Sequence, residues 1–108
     1  MFFAALPEAP TNLTVKDKKE NYVTLTWKTP KNDGGAKIEA YHIRVKEGDK
    51  DWKDVSKVTA YDTDYKVTKL TPGGSYNFAV LAENSVGKGP AAETSSPVVL
   101  KKKAGMLF

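Results

Sequence analysis

Residues 70–89 read LTPGGSYNFAVLAENSVGKG, and this segment carries the strongest structural information in the chain. It opens with a leucine and a Thr-Pro-Gly-Gly corner, in which proline fixes φ and glycine allows positive φ. Apolar residues then recur at every second position, the period of a β-strand with one face in a core. The inward set is Tyr76, Phe78, Val80 and Ala82. Because the alternate positions include Ala79 and Leu81, the strand is predicted to be central and partly covered on both faces.

Shorter segments on both sides show the same alternation. The predicted strands cover residues 13–15, 22–28, 38–46, 52–55, 64–70, 76–83 and 97–100. Residues 58–62 are read as a connection and residues 91–96 as a polar loop. Seven short strands with turn residues about every ten positions predict an all-β antiparallel sandwich.

The inward rows of these strands predict one shared core. Trp27 is the largest apolar group of its strand, and its full burial would contribute about 2–4 kcal/mol. Trp52 is expected to lie over a sheet rather than deep inside it. The predicted core residues are Trp27, Tyr41, Ile43, Leu70, Tyr76, Phe78 and Val80.

Length and composition exclude several classes of protein. The chain has 108 residues, enough for one domain with a single core, and no cysteine, so it has neither disulfides nor thiolate metal sites. No run of eighteen apolar residues predicts a membrane span. Lys101, Lys102 and Lys103 supply three of the four net positive charges, leaving a balanced body without the clustered basic face of a nucleic-acid binder.

Both ends of the chain are apolar. Residues 1–6 (MFFAAL) are too short for a signal peptide and lack its preceding positive charges, and residues 104–108 (AGMLF) form a second apolar tip. Two readings stay open: linker remnants, or sticky tips that favour weak head-to-tail self-association. The predicted organisation is an N-terminal extension at 1–6, a domain at 7–102 and a C-terminal extension at 103–108.

The central segment resembles the sixth strand of fibronectin type III domains. The shared features are a leucine followed, after five residues, by a tyrosine, and an alternating strand that closes on A-x-N-x-x-G-x-G. The resemblance extends over roughly residues 7–102 and includes Trp27 and Tyr41. It implies a seven-stranded sandwich of two sheets with Greek-key connections, in which the Tyr76 hydroxyl bonds backbone near Leu70.

Two further motifs are similar to those of domains in giant muscle proteins of the titin and twitchin kind. They are PKNDGG at 30–35, followed by I-x-x-Y, and AENSVGKG at 82–89. This resemblance implies a cytoplasmic, sarcomeric module of a tandem array that acts as spacer, scaffold and load-bearing unit. The implied partners are neighbouring fibronectin type III or immunoglobulin-like domains and thick-filament proteins. The loop residues expected to contact other proteins are Asn32, Asp33, Gly34, Asn84, Ser85, Gly87 and Lys88.

An alternative is a ligand-binding module of an extracellular adhesion protein or receptor. The loop at 84–90 lacks the Arg-Gly-Asp tripeptide of integrin-binding type III domains, which removes one ligand mode but not the class. Asn12 begins the only N-glycosylation sequon, and a glycan there would place the natural protein outside the cell.

Catalytic chemistry has no candidate site in this sequence. The single histidine, His42, alternates with outward charges and is expected to be solvated, and the serines lie in turns without a base nearby. Asn32 and Asp33 lack the alternating oxygen ligands and closing glutamate of a calcium loop. The sequence therefore predicts a non-catalytic module without metal or cofactor.

Overall fold

The computed structural model describes residues 3–102, so the whole C-terminal tip and the first two residues of the N-terminal tip lie outside the described part. Within residues 3–102, no helix is long and apolar enough to span a bilayer. The strands are β1 (Thr11–Lys18), β2 (Val23–Lys28), β3 (Ala40–Glu47), β4 (Lys53–Thr59), β5 (Asp64–Val67), β6 (Ser75–Glu83), β7 (Lys88–Glu93) and β8 (Val98–Val99).

The strands form two antiparallel sheets. The smaller sheet has the order β1-β2-β5, and the larger has the order β4-β3-β6-β7 with β8 also paired to β6. All described pairings are antiparallel. The prediction of an all-β antiparallel sandwich is confirmed, with eight strands in place of seven.

The extra strand arises because two short strands share one edge of β6. β3 pairs with β6 from Tyr76 to Glu83, which leaves the opposite edge to β7 and β8. The predicted loop at 91–96 is therefore wrong for its first three residues, which belong to β7. The sequence KGPAAE has low β-propensity, and Pro90 is tolerated because β7 is an edge strand with a register shift between Leu81 and Glu83.

Several other strand boundaries also differ from the prediction, and β1 is longer at both ends than the predicted residues 13–15. β4 continues through Val58 to Thr59, so the predicted connection at 58–62 begins too early. β5 ends at Val67, three residues before Leu70, because Lys69 has a φ of +61° that breaks the extended backbone. The Leu70 amide instead donates to the carbonyl of Asn21 at 3.0 Å.

All seven predicted core residues lie in one buried cluster between the sheets. Val23, Leu25, Val67, Ala82 and Leu100 complete that cluster. The outer face of β6 is also covered: Ala79 is 2% exposed and Leu81 is 7% exposed, which confirms that this strand is central and buried on both faces. Trp52 is half-buried, with the Lys46 amino group 5.8 Å from its ring centroid.

The corner before β6 is fastened by a side chain. The Tyr76 hydroxyl accepts a hydrogen bond from the Thr71 amide at 2.8 Å, as the resemblance implied. Gly74 lies against this tyrosine, and a Cβ at that position would come within 3.0 Å of the hydroxyl oxygen and 2.8 Å of the ring. The glycine therefore gives the ring room to reach the corner.

Candidate functional site

Three segments meet at one end of the sandwich, where β6 finishes at Glu83. They are the incoming chain at residues 4–8, the loop at 32–35 and the turn at 84–89, and we call this region the N-terminal pole. The Ala5 amide donates to the Gly34 carbonyl at 2.7 Å, and the Glu8 amide donates to the Asn32 carbonyl at 3.0 Å. The incoming chain is thus fixed to the loop before it reaches β1.

Asn84 is the polar centre of this pole and is only 2% exposed. Its side-chain nitrogen donates to the carbonyls of Ala5 and Asp33, both at 2.8 Å. Its side-chain oxygen accepts from the amides of Val86 at 2.9 Å and Gly87 at 3.3 Å. One buried amide therefore joins all three segments with its hydrogen-bonding capacity well used, as burial of a polar group requires.

Close backbone approach explains two glycines at the pole. A Cβ on Gly89 would overlap the carbonyl oxygen of Pro7, and a Cβ on Gly34 would overlap that of Ala5. Gly34 also has a φ of +80°, a conformation that glycine adopts without strain. Pro7 itself is fully buried against this turn. Both positions therefore require glycine as long as the incoming chain occupies the groove.

The loop at 32–35 is shaped by its own side chains. The Asn32 side-chain oxygen accepts from the Gly34 amide at 2.8 Å, and the Asp33 carboxylate accepts from the Gly35 amide at 2.9 Å. Such local bonds are typical of Asx turns. These bonds use the Asn32 side-chain oxygen and one of the two Asp33 carboxylate oxygens to fix the shape of the loop. Within residues 3–102, no group of three or more His, Asp or Glu side chains is placed to hold a metal ion.

All seven residues predicted to contact other proteins lie at this pole, but they are not equally accessible. Asn84 is buried and bonded within the chain, so it cannot touch a partner directly, and the idea that it does is wrong. Gly34 and Gly87 are half-buried, whereas the other four are exposed: Asn32, Asp33, Ser85 and Lys88. The loop predicted at 84–90 is also shorter, because β7 starts at Lys88.

The sequence showed the apolar tip at residues 1–6, but not that it meets the exposed turn at 84–89. Leu6 is 48% exposed and Val86 is 49% exposed, and a Cβ on Gly87 would lie 3.3 Å from the Leu6 side chain. Phe3, which precedes Leu6 in the incoming chain, is 83% exposed. Alternating hydrophobicity could not reveal this surface because these residues lie outside the strands.

The outer face of the larger sheet carries a charged cluster beside the pole. His42 Nε2 and Glu83 Oε1 are 2.8 Å apart, and the Lys57 amine lies 3.5 Å from the same carboxylate oxygen. The expectation that His42 is solvated is wrong, since its side chain is only 14% exposed. The hydrogen bond from His42, aided by the charge of Lys57, lowers the pKa of the Glu83 carboxyl.

Comparison with known proteins identifies the family to which this fold belongs. The sequence model of the fibronectin type III domain matches residues 8–98. The chain is 33% identical over 94 residues to myosin-binding protein H of Gallus gallus, covering 86% of this chain and 18% of that protein. It is also 33% identical over 95 residues to the cell adhesion molecule Dscam1 of Drosophila melanogaster, covering 86% of this chain and 5% of that protein.

A solved structure of titin domains A168–A170 superposes with a TM-score of 0.83 at 34% sequence identity, covering 92% of this chain and 34% of that one. The resemblance to titin-type muscle domains is thus confirmed, and relatives among adhesion proteins stand beside it. The chain spans less than a fifth of either relative named above. What those whole proteins do therefore reaches this chain only as a proposal.

Proposed function

The chain belongs to the fibronectin type III family, and from that premise we propose that it is a non-catalytic spacer and load-bearing module in the tandem array of a titin-like sarcomeric protein. Its partners in this proposal are neighbouring fibronectin type III or immunoglobulin-like domains and, through exposed faces, thick-filament proteins. The proposed location is the sarcomere.

The placement of the two chain ends is the observation that carries the proposal. The incoming chain is bonded at the Glu83 end of β6, while the outgoing chain is bonded at the other end, through Gly73 to Lys101 at 3.0 Å and Leu100 to Gly74 at 2.9 Å. β6 has nine residues, which extend about 30 Å at the usual rise per residue. A pull on both ends would therefore run along the length of the sandwich.

The N-terminal pole supports the spacer role in a second way. Asn84 and Gly34 fix the incoming chain at Ala5, so this domain sets the direction from which the chain arrives from a preceding domain. Leu6 and Val86 offer that neighbour a small apolar contact. A fixed exit with a nearby contact favours a stiff junction over a freely swinging one.

Single-molecule stretching of three tandem copies tests the mechanical role. We expect three separate unfolding events, and a lower unfolding force in an Asn84→Ala array, because the incoming chain then peels away from the pole before β1 is loaded. Ser85→Ala is the matched control, since Ser85 is exposed beside it. Copies that stretch like an unfolded chain would refute the load-bearing role.

Location is tested separately by expressing the fluorescently labelled chain in cultured cardiomyocytes. Binding to thick-filament proteins predicts a striped pattern in register with the thick filaments. A diffuse cytoplasmic signal, or a signal confined to the secretory pathway, would argue against the sarcomeric proposal.

The second candidate is a module of an extracellular adhesion protein, favoured by the similarity to Dscam1. Asn12 is exposed in β1 with a φ of +55°, and Thr14 of the same sequon is exposed as well. An acceptor with this accessibility would carry a glycan in a secreted protein. Mass spectrometry of the natural protein therefore decides between the candidates: a glycan on Asn12 supports the extracellular role.

A further inference from the structure

Three Ser/Thr-Pro dipeptides occur in the chain, and the structure makes them unequal. They are Thr29-Pro30, Thr71-Pro72 and Ser96-Pro97. Pro30 is buried, and the Thr71 backbone is bonded on both sides, its amide donating to the Tyr76 hydroxyl and its carbonyl accepting from Gly74. Only the third dipeptide lies in an open segment.

Ser96 and Pro97 lie in the link between β7 and β8, and both are exposed. Neither residue makes a hydrogen bond within residues 3–102. A protein kinase binds its target as an extended peptide, so a substrate serine must be able to leave its neighbours. Ser96 itself can move without breaking a hydrogen bond, and the nearest bonded residues are Thr94, which contacts Phe78, and Val98, which pairs with Tyr76.

This link also faces lysines. A groove of about 620 Å³ runs between the edge of β1 and the link, lined by residues 13–18 and 94–98. The Lys18 amine already crosses it, donating to the Val99 carbonyl at 3.3 Å. Lys16 lines the same groove, and the one carboxylate there, Asp17, accepts from the Tyr22 hydroxyl at 3.3 Å.

We propose that Ser96 is a phosphorylation site for a proline-directed protein kinase, and that the phosphate pairs with Lys18 across the groove. The kinase transfers the γ-phosphoryl group of ATP to the Ser96 hydroxyl oxygen. The bond to the β-phosphate breaks, ADP leaves, and the hydroxyl proton passes to the kinase base. The modified side chain carries about −1.5 to −2 charges and three strong acceptors.

The pairing would tie the two sheets together. Lys18 ends β1 in the smaller sheet, whereas Ser96 directly precedes Pro97 and β8 in the larger one. Ion pairs between lysine and phosphate shorten and strengthen the hydrogen bonds they contain. Phosphorylation is thus expected to stabilise the contact between the first and last strands. The inference does not depend on the proposed sarcomeric role, because it needs only access to a cytoplasmic kinase.

The test begins with site mapping. The whole chain is incubated with ATP and a purified proline-directed kinase of the mitogen-activated class, and the modified residue is located by mass spectrometry. We expect incorporation at Ser96 that is lost in Ser96→Ala and retained in Ser95→Ala, the exposed neighbour that no proline follows. Incorporation chiefly at Thr29 or Thr71, or none at all, would overturn the proposal.

The second arm measures the pairing. At low salt, the phosphorylated chain should melt about 1–4 °C higher than the unmodified chain, the size expected of an exposed ion pair in a small domain. In Lys18→Gln, the phosphorylated and unmodified forms should melt at the same temperature. The rise in the native chain should also disappear at high salt. An equal rise in Lys18→Gln would refute the contact with Lys18.

Discussion

The core contains two aromatic pairs that are built differently. Trp27 and Tyr41 meet edge to face, with ring centroids 5.5 Å apart at 63°, near the N-terminal pole, where Tyr41 lies opposite Ala82. Tyr76 and Phe78 lie towards the other end of β6, with centroids 6.3 Å apart at 31°.

The two pairs differ most in their polar atoms. Trp27 Nε1 and the Tyr41 hydroxyl are buried without a hydrogen-bond partner among residues 3–102. The Tyr76 hydroxyl instead accepts from the Thr71 amide at 2.8 Å. The first pair therefore stabilises the fold by packing alone, whereas the second also fastens backbone. At the N-terminal pole that fastening falls to the amide of Asn84.

The largest expected effect is at the packing pair. Trp27→Ala should lower the free energy of unfolding by about 3–5 kcal/mol, because it empties a large aromatic site that is 2% exposed. Denaturant unfolding measures this loss, and Trp52→Ala, which removes a half-buried tryptophan, should lose clearly less. A loss below about 1 kcal/mol at Trp27 would show that it is not the centre of the core.

A smaller effect is expected at the fastening pair. Tyr76→Phe should cost about 1–2 kcal/mol, since the Thr71 amide loses its acceptor while the ring is kept. The same denaturant titration measures the change. Hydrogen exchange at Thr71 should also speed up, and an unchanged exchange rate would contradict the role of the hydroxyl.

The matched substitution in the other pair should be almost silent. Tyr41→Phe removes a hydroxyl that bonds nothing within residues 3–102, so stability near neutral pH should stay within about 0.5 kcal/mol. Burial raises the pKa of the Tyr41 hydroxyl. The unfolded chain therefore ionises first, and stability falls as the pH rises above about 10. The phenylalanine variant should show a smaller alkaline loss, and a loss equal to that of the native chain would contradict this.

The smallest effect concerns the charged cluster next to the N-terminal pole. His42 and Lys57 lower the pKa of Glu83 in the folded state. The stabilisation is present above the ordinary glutamate pKa of about 4.3 and is lost as the pH falls through the folded value. The free energy of unfolding of the native chain should exceed that of Glu83→Gln by less than about 1 kcal/mol at neutral pH. The difference should vanish when both are measured in acid. A difference that persists in acid would exclude titration of Glu83 as its cause.

The sequence could predict what depends on alternation within one strand. The inward rows of β2, β3 and β6 follow directly from the period of two, and so does the core position of Trp27. The corner at Tyr76 was accessible through its resemblance to a known family. Both kinds of information are local, because a few adjacent residues carry them.

What escaped prediction depends on distant segments. β7 exists because the free edge of β6 offers it hydrogen bonds, although KGPAAE alone indicates a loop. The burial of Pro7 requires Gly89, more than eighty residues later, to come close. His42 is covered because Glu83, on the neighbouring strand, lies diagonally across from it. Such pairings are properties of the assembled sheets, and single-sequence periodicity does not contain them.

The divided edge of β6 has a consequence for crowded proteins. A long, regular edge strand offers unpaired amides and carbonyls on which a strand of another molecule can assemble, which is a route to aggregation. Here the edge strand beside β6 is divided into β7, of six residues, and β8, of two, with exposed residues 95–97 between them. Pro90 also removes one donor from β7. Where many similar sandwiches unfold and refold side by side, this interruption would disfavour pairing with a neighbour at the β7–β8 edge, which leaves β4 as the continuous edge of the larger sheet.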